Sequence, residues 1–297
     1  MALPPLYKYL DVQGAKLTLG NKTFRHATPS DFNDIEDMTI QSIFSEDVEA
    51  ALTKLSNGFT DVIVGNVNKP PTCSPRLAEK VALLQRIYRG NPKAADAVKE
   101  QIKSDPKLKV FDVEHMRTMS KAFVDEINQF MQGYRVLCVT TNKDSERMWA
   151  GYAQKHEGIV LRIEPNVEKD SKFQKFFPVE YRASRPPLYD DTLAFLEGSL
   201  FGDQESRKRA MLEKIIYSKT LKWEYESEYR LAIPLRQGEG WNTLSYHPEE
   251  ISELYTGLAM TKENRDEIVA KAQALNPKIA IFQGGRDANK KLTFERT

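Results

Sequence analysis

The stretch Tyr134–Thr141 (YRVLCVTT), followed by DSERMWAGYAQKHEG at 144–158 and GIVLRIEP at 158–165, decides the fold class. The outer two segments are apolar, β-branched runs, which are typical of buried strands. The middle segment has apolar residues at spacings of three and four, which predicts an amphipathic helix ending at Gly158. A strand–helix–strand unit therefore lies in the middle of the chain.

Strands are predicted on both sides of this unit. Leu6–Leu10 (LYKYL) alternates aromatic and polar residues, and Lys16–Ala27 is predicted as a second strand region with a GN turn inside it. Towards the carboxyl end, FFPVEYRA, YESEYRLAIPL, LYTGLAM and IAIFQGG are predicted as strands. Thr192–Leu221 and Thr261–Leu275 are predicted as helices, the latter opened by a capping box.

A mostly helical block interrupts the strands at about 44–131, where apolar residues recur at helical spacing. Its connectors are too short to be interdomain linkers. Strands, then helices, then strands again predict an α+β fold with a mixed or antiparallel sheet core and a helical insertion. We expect one domain over 1–297.

Composition and the N-terminal sequence give no sign of several classes of protein. Lys plus Arg (43) nearly balance Asp plus Glu (42), so no overall charge points to nucleic acid or a membrane surface. The N-terminus lacks the features of a signal peptide, and no apolar run reaches the roughly 18 residues of a membrane span. Cys73 and Cys138 form neither a disulfide framework nor a metal-ligand pattern. We expect a cytoplasmic chain without a membrane partner; export by a specialised route stays open.

The segment KWEYESEYR is the most unusual local pattern. If it is a strand, Glu224, Glu226 and Glu228 lie on one face, because side chains alternate along a strand. Clustered carboxylates suit a general base, a metal site, or recognition of ribose hydroxyls and a cationic transition state. The alternative is a solvated strand face that Lys222 and Arg230 balance.

Two further groups of residues are candidates for binding. Trp149 and Tyr152 on the predicted helix could stack on a planar ligand, although they equally suit the core. Arg25 and His26 end a predicted strand close to Asn33, which would suit phosphate or amide recognition. The alternative there is a turn stabilised by side-chain hydrogen bonds.

Together, LYKYL, FRHATPSDFNDIED, VLCVTTNKDSERMWAGYAQKHEGIVLRIEP, VEYR and KTLKWEYESEYRL resemble the bacterial family catalogued as domain of unknown function 2971. The resemblance covers most of the chain except the helical block and the tail. Its motifs are an N-terminal K-Y, an F-N-D turn, M-W-x-x-Y-A with H-x-G, and W-x-Y-E-x-E-x-R. This chain has Ile35 where Pro commonly follows F-N-D, and Gly151 where a His often precedes the Tyr.

The order of these elements is also similar to that of ADP-ribosyltransferases, an analogy at the level of motif order. That similarity implies an enzyme that uses NAD as substrate and modifies a protein or nucleic acid, as a toxin or in defence against phage. It implies catalytic roles for Glu226, Glu228 and Tyr152, and contacts with NAD from Arg25, His26, Asn33, Trp149 and Arg230. On this analogy, Glu228→Gln leaves the fold intact and abolishes NAD consumption.

Two other functions stay open. A metal-dependent nuclease would hold Mg²⁺ with Glu224, Glu226, Glu228 and Asp34. A non-catalytic binding or sensor module would use the same residues to bind a ligand without turnover.

Overall fold

A computed structural model describes residues 3–104 and 113–297. Its strands are β1 (Leu6–Leu10), β2 (Thr23–Arg25), β3 (Tyr134–Thr140), β4 (Ile159–Ile163), β5 (Phe177–Pro178), β6 (Glu180–Arg182), β7 (Ser218–Thr220), β8 (Glu228–Pro234), β9 (Thr243–Ser245), β10 (Ile251–Thr256), β11 (Ala280–Arg286) and β12 (Leu292–Arg296). Its α-helices are α1 (Val12–Asn21), α2 (Val48–Gly65), α3 (Pro75–Gly90), α4 (Lys93–Ser104), α5 (Val113–Met131), α6 (Glu146–Tyr152), α7 (Thr192–Phe201), α8 (Gln204–Ile216) and α9 (Lys262–Leu275).

The chain divides into two compact units. The sheet unit consists of Met1–Asp37, Gln132–Ala183 and Lys219–Thr297. The helical unit consists of Met38–Met131 and Ser184–Ser218, so it contains the predicted helical block together with α7 and α8. The single domain expected over 1–297 stays a prediction.

The sheet unit is built on an eight-stranded sheet with the order β12-β11-β10-β4-β1-β3-β8-β5. Neighbouring strands are antiparallel except β10 and β11, which run parallel because α9 connects them as a crossover. Two small sheets accompany it, β2 with β9 and β6 with β7. The predicted α+β fold with a mixed sheet is confirmed.

Alternation along β1 separates two apolar clusters on the two faces of the sheet. Leu6 belongs to a cluster with Leu161, and α1 and α9 contribute Leu19 and Ile268 to it. The neighbouring side chains, Tyr7 and Tyr9, belong to a second cluster that contains Trp149, Val160 and Tyr255. The sheet is therefore packed on both faces.

The strand predicted at Lys16–Ala27 is wrong over most of its length, because Val12–Asn21 forms α1. The Asp11 side chain caps this helix by accepting from the Gly14 amide at 2.5 Å, and Lys22 in the left-handed region ends it. Ala15 and Leu19, four residues apart, are buried in the core. Burial of this face outweighs the β propensity of the segment.

The helix predicted to end at Gly158 stops at Tyr152. Gln154, Lys155 and His156 have positive φ angles of 49°, 52° and 70°, so the chain turns tightly before β4. A side chain at 158 would place its Cβ 2.1 Å from the Leu10 carbonyl oxygen. Only glycine permits this close approach.

The helical unit has its own core, in which α2, α3, α4 and α7 contribute Ile63, Val81, Ala95 and Leu200. The helix predicted over Thr192–Leu221 is divided into α7 and α8 by Gly202, after which Asp203 caps α8. Among the described helices, none is both long enough and apolar enough to cross a membrane.

Candidate functional site

A polar cavity of about 460 Å³ lies within the sheet unit. Residues from β1 and β3 contribute to its wall, and these two strands share a single registered pair, Tyr7 with Thr140. The remaining wall comes from the F-N-D turn, α6 and the segment between β7 and β8. Six polar side chains are central to its chemistry: Lys8, Asp37, Tyr152, Lys219, Glu226 and Glu228.

The acidic segment is not the continuous strand that its alternation predicted. Leu221–Glu226 forms a 3-10 helix, Ser227 takes a left-handed conformation (φ 44°), and β8 begins at Glu228. Glu226 and Glu228 are both buried, whereas Glu224 is exposed and does not line the cavity. Two of the three predicted carboxylates therefore come together, through a turn rather than through strand alternation.

Three carboxylates and two cations form a buried ion network beside the cavity. The Lys219 ammonium lies 2.5 Å from Glu226, 3.0 Å from Glu228 and 3.5 Å from Asp37. Arg230 is completely buried and donates two hydrogen bonds to Glu228 and two to Asp37. With all five groups ionised, the network carries one net negative charge.

The two glutamates have opposite electrostatic environments. Burial raises the pKa of Glu228, but Arg230 and Lys219 outweigh burial and hold that pKa well below its usual value. Burial also raises the pKa of Glu226, and Lys219 offsets this only in part. Glu228 is thus a fixed anion, while Glu226 is the more basic carboxylate.

Tyr152 connects α6 to this network. Its hydroxyl donates to Glu226 at 2.5 Å, and burial, together with the Glu226 carboxylate, raises the pKa of the phenol. Tyr152 therefore remains protonated and donates at neutral pH. The cavity thus has a carboxylate held between a phenol and an ammonium.

The structure brings five of the predicted residues to the cavity: Tyr152, Glu226, Glu228, Arg25 and Asn33. Arg25 and Asn33 are exposed there. Arg25 pairs with Asp31 at 2.7 Å, and Asp34 accepts from Lys222 at 3.3 Å. The F-N-D turn and the acidic segment therefore meet at this cavity.

His26, Trp149 and Arg230 do not line it. His26 is buried, and its Nδ1 donates to the Phe24 carbonyl at 3.1 Å, since a carbonyl can only accept. The Trp149 indole donates to the Lys143 carbonyl at 2.8 Å within the second apolar cluster. Because none of the three has a surface in the cavity, the contacts with NAD predicted for them have no support here.

Three charged residues of the site were not predicted from the sequence: Lys8, Asp37 and Lys219. Lys8 lies in the centre of LYKYL, where a lysine between two buried tyrosines is itself unusual. Asp37 and Lys219 lie within or directly next to quoted motifs. Neither residue could be paired with the acidic segment without knowing the turn at Ser227.

One comparison with known proteins bears on this site. A family model described as protein of unknown function (DUF2971) matches residues 148–231, a range that includes Tyr152, Lys219, Glu226 and Glu228. Neither the curated proteins nor the solved structures provide a match to the chain. The similarity to ADP-ribosyltransferases stays a prediction. The match to residues 148–231 supports the resemblance to the DUF2971 family that the motifs indicated.

Proposed function

We propose that the chain is an NAD-dependent enzyme that breaks the nicotinamide–ribose bond and transfers ADP-ribose to a protein or nucleic-acid acceptor. One observation carries the proposal. Glu226 is a buried carboxylate that borders a polar cavity and belongs to a network with one net negative charge. Such a site favours positive charge that develops during a reaction.

The chemistry matches this arrangement. When the bond between C1′ and the nicotinamide nitrogen breaks, its electron pair passes to the ring nitrogen, and the ribose becomes an oxocarbenium ion. A carboxylate beside the ribose stabilises this cation more than the ground state and so accelerates the step. The acceptor then forms a bond to C1′ and loses a proton, for which Glu226 with its raised pKa is the suitable base.

The size of the cavity and the character of its wall support a nucleotide ligand. Small-molecule sites usually have volumes of roughly 300–1,000 Å³, and this cavity has about 460 Å³. Tyr7 and Phe32 contribute aromatic surface beside Tyr152, whereas the sequence predicted this role for Tyr152 and Trp149. An aromatic ring such as nicotinamide packs favourably on such surfaces.

No specific observation favours the metal-dependent nuclease. Lys219 already bridges Glu226 and Glu228, Asp34 pairs with Lys222, and Glu224 is exposed. Within residues 3–104 and 113–297, no group of three or more potential ligands is arranged to hold a metal ion. A binding module without turnover would use the same cavity, so turnover must be measured directly.

The decisive variant is Glu226→Gln, with Glu224→Gln as its matched control. Both remove one carboxylate from the same 3-10 helix, but only Glu226 faces the cavity. We expect nicotinamide release from NAD, with and without cell lysate, to fall at least about 100-fold in Glu226→Gln, as for the loss of one transition-state contact. Glu224→Gln should match the wild type.

Equal release by Glu226→Gln and the wild type would contradict the proposal. NAD binding by the wild type without any release would favour the binding module instead. Glu228→Gln, the substitution predicted from the sequence, is less informative because it also removes one of the two carboxylate partners of the completely buried Arg230.

A further inference from the structure

Lys8 is a cation of the cavity without a carboxylate partner. Its ammonium donates to the Cys138 carbonyl oxygen at 2.9 Å, across the gap between β1 and β3. Within the described part of the chain, no carboxylate forms a salt bridge with it, and that carbonyl is its one hydrogen-bond acceptor. Since an ammonium carries three N–H donors, two of them have no protein acceptor.

Lys219 provides the contrast. Both lysines line the same cavity, but Lys219 contacts three carboxylates. Arg25, at the edge of the cavity, is paired with Asp31. Lys8 is therefore the cavity-lining cation among the described residues whose charge no carboxylate contacts.

This arrangement is unfavourable for the protein alone. Lys8 is partly buried and no carboxylate contacts it, so desolvation lowers its pKa more than the more distant Glu228 and Glu226 raise it. One hydrogen bond to a backbone carbonyl offsets little of this desolvation, because a Lys side chain also loses conformational entropy when it is held in place. An anion supplied from outside would satisfy both free donors.

We propose that Lys8 binds an anionic phosphate group of the ligand of this cavity. The acidic network around Glu226 and the ammonium of Lys8 would then bind opposite charges of one ligand, which must be dipolar. A dinucleotide with a cationic base and a pyrophosphate has this character. The inference rests on the proposed function only in identifying that phosphate with the pyrophosphate of NAD.

The test measures the affinity of the full chain for two probes, ADP-ribose and inorganic pyrophosphate, by titration calorimetry. Lys8→Met keeps the aliphatic stem and removes the charge, and Lys175→Met is a matched control because Lys175 is exposed and outside the cavity. Loss of charge-assisted hydrogen bonds should weaken probe binding by about 10- to 100-fold in Lys8→Met. Lys175→Met should bind as the wild type does.

A melting temperature for Lys8→Met at or above that of the wild type would further support the proposal, because the variant lacks a partly buried charge that no carboxylate contacts. If Lys8→Met does not fold, Lys8→Gln, which retains a donor without the charge, provides the same comparison.

The outcomes separate this inference from the proposed function. Weaker binding of ADP-ribose by Lys8→Met, with no nicotinamide release by the wild type, would support the role of Lys8 and refute the transferase. Nicotinamide release with the same KM in Lys8→Met and wild type would support the transferase and refute the role of Lys8. Failure of the wild type to bind either probe would also overturn the role of Lys8.

Discussion

Replacement of Arg230 by Met should cost the sheet unit much of its stability. The guanidinium forms hydrogen bonds of 2.7 and 3.0 Å to Glu228 and of 2.9 and 2.6 Å to Asp37. Each hydrogen bond to a charged group contributes roughly 1.5–3 kcal/mol, so four contribute about 6–12 kcal/mol before the desolvation of Arg230 is subtracted. Removing one partner of a buried ion pair has a net effect of about 3–5 kcal/mol, which we expect here.

Arg286→Met is the matched control for this prediction. Arg286 also bonds one carboxylate twice, at 2.7 and 3.2 Å to Glu146, but its side chain is 40% exposed, whereas that of Arg230 is 0% exposed. Exposed pairs contribute at most about 1 kcal/mol, because solvent screens them. The comparison therefore isolates the effect of burial on a similar contact.

Because the chain has two compact units, the free energy of opening should be followed locally. Hydrogen exchange of the β8 amides, measured by mass spectrometry in increasing urea, reports the strand that carries the network. If Arg230→Met lowers the free energy of opening no more than Arg286→Met does, the reasoning is refuted, because the buried network would then contribute no more than a surface pair.

Two further predictions concern stability. The pKa of His26 is lowered by burial to about 4 from its usual 6.5, so the unfolded state binds more protons between these values and stability falls as the pH decreases from 6.5 to 4. The free energy of unfolding should fall by about 3 kcal/mol over this range. In His26→Gln, the free energy measured by urea unfolding should not show this decrease. The same pH dependence of stability in both proteins would contradict the prediction. Gly257→Ala would place a Cβ 1.9 Å from the His156 carbonyl oxygen, whereas at Gly285 the nearest atom is 3.9 Å away. Thermal unfolding should show Gly257→Ala destabilised by about 1–3 kcal/mol or more and Gly285→Ala near the wild type; similar melting temperatures would contradict the close approach.

Periodicity predicted the buried strands well and the N-terminal region poorly. Tyr134–Thr140 and Ile159–Ile163 are mostly apolar, and their arginines, Arg135 and Arg162, are only partly buried, so composition alone indicates buried strands. Val12–Asn21 instead becomes helical through the Asp11 cap and contact with α9. Such a contact with a helix some 250 residues later in the chain leaves no trace in a local window.

The site was predictable as a set of segments and not as a set of contacts. LYKYL, the F-N-D turn, α6 and the acidic segment all contribute to the cavity. Which glutamates of the acidic segment line the cavity depends on Ser227, whose left-handed conformation ends the 3-10 helix before β8 begins. Side-chain alternation cannot be applied across such a turn, so Glu224 was grouped with the wrong residues.

The two glutamates of the E-x-E motif, Glu226 and Glu228, differ in how fully their charges are paired within the network. Glu228 is held by Arg230 and Lys219, and this pairing fixes its charge and its position. A carboxylate satisfied in this way has little capacity left for a ligand. Glu226 shares Lys219 with the others and otherwise bonds to Tyr152, so the surplus negative charge of the network is located on the cavity side. In the proposed reaction, Glu228 therefore positions the network and Glu226 acts on the ligand.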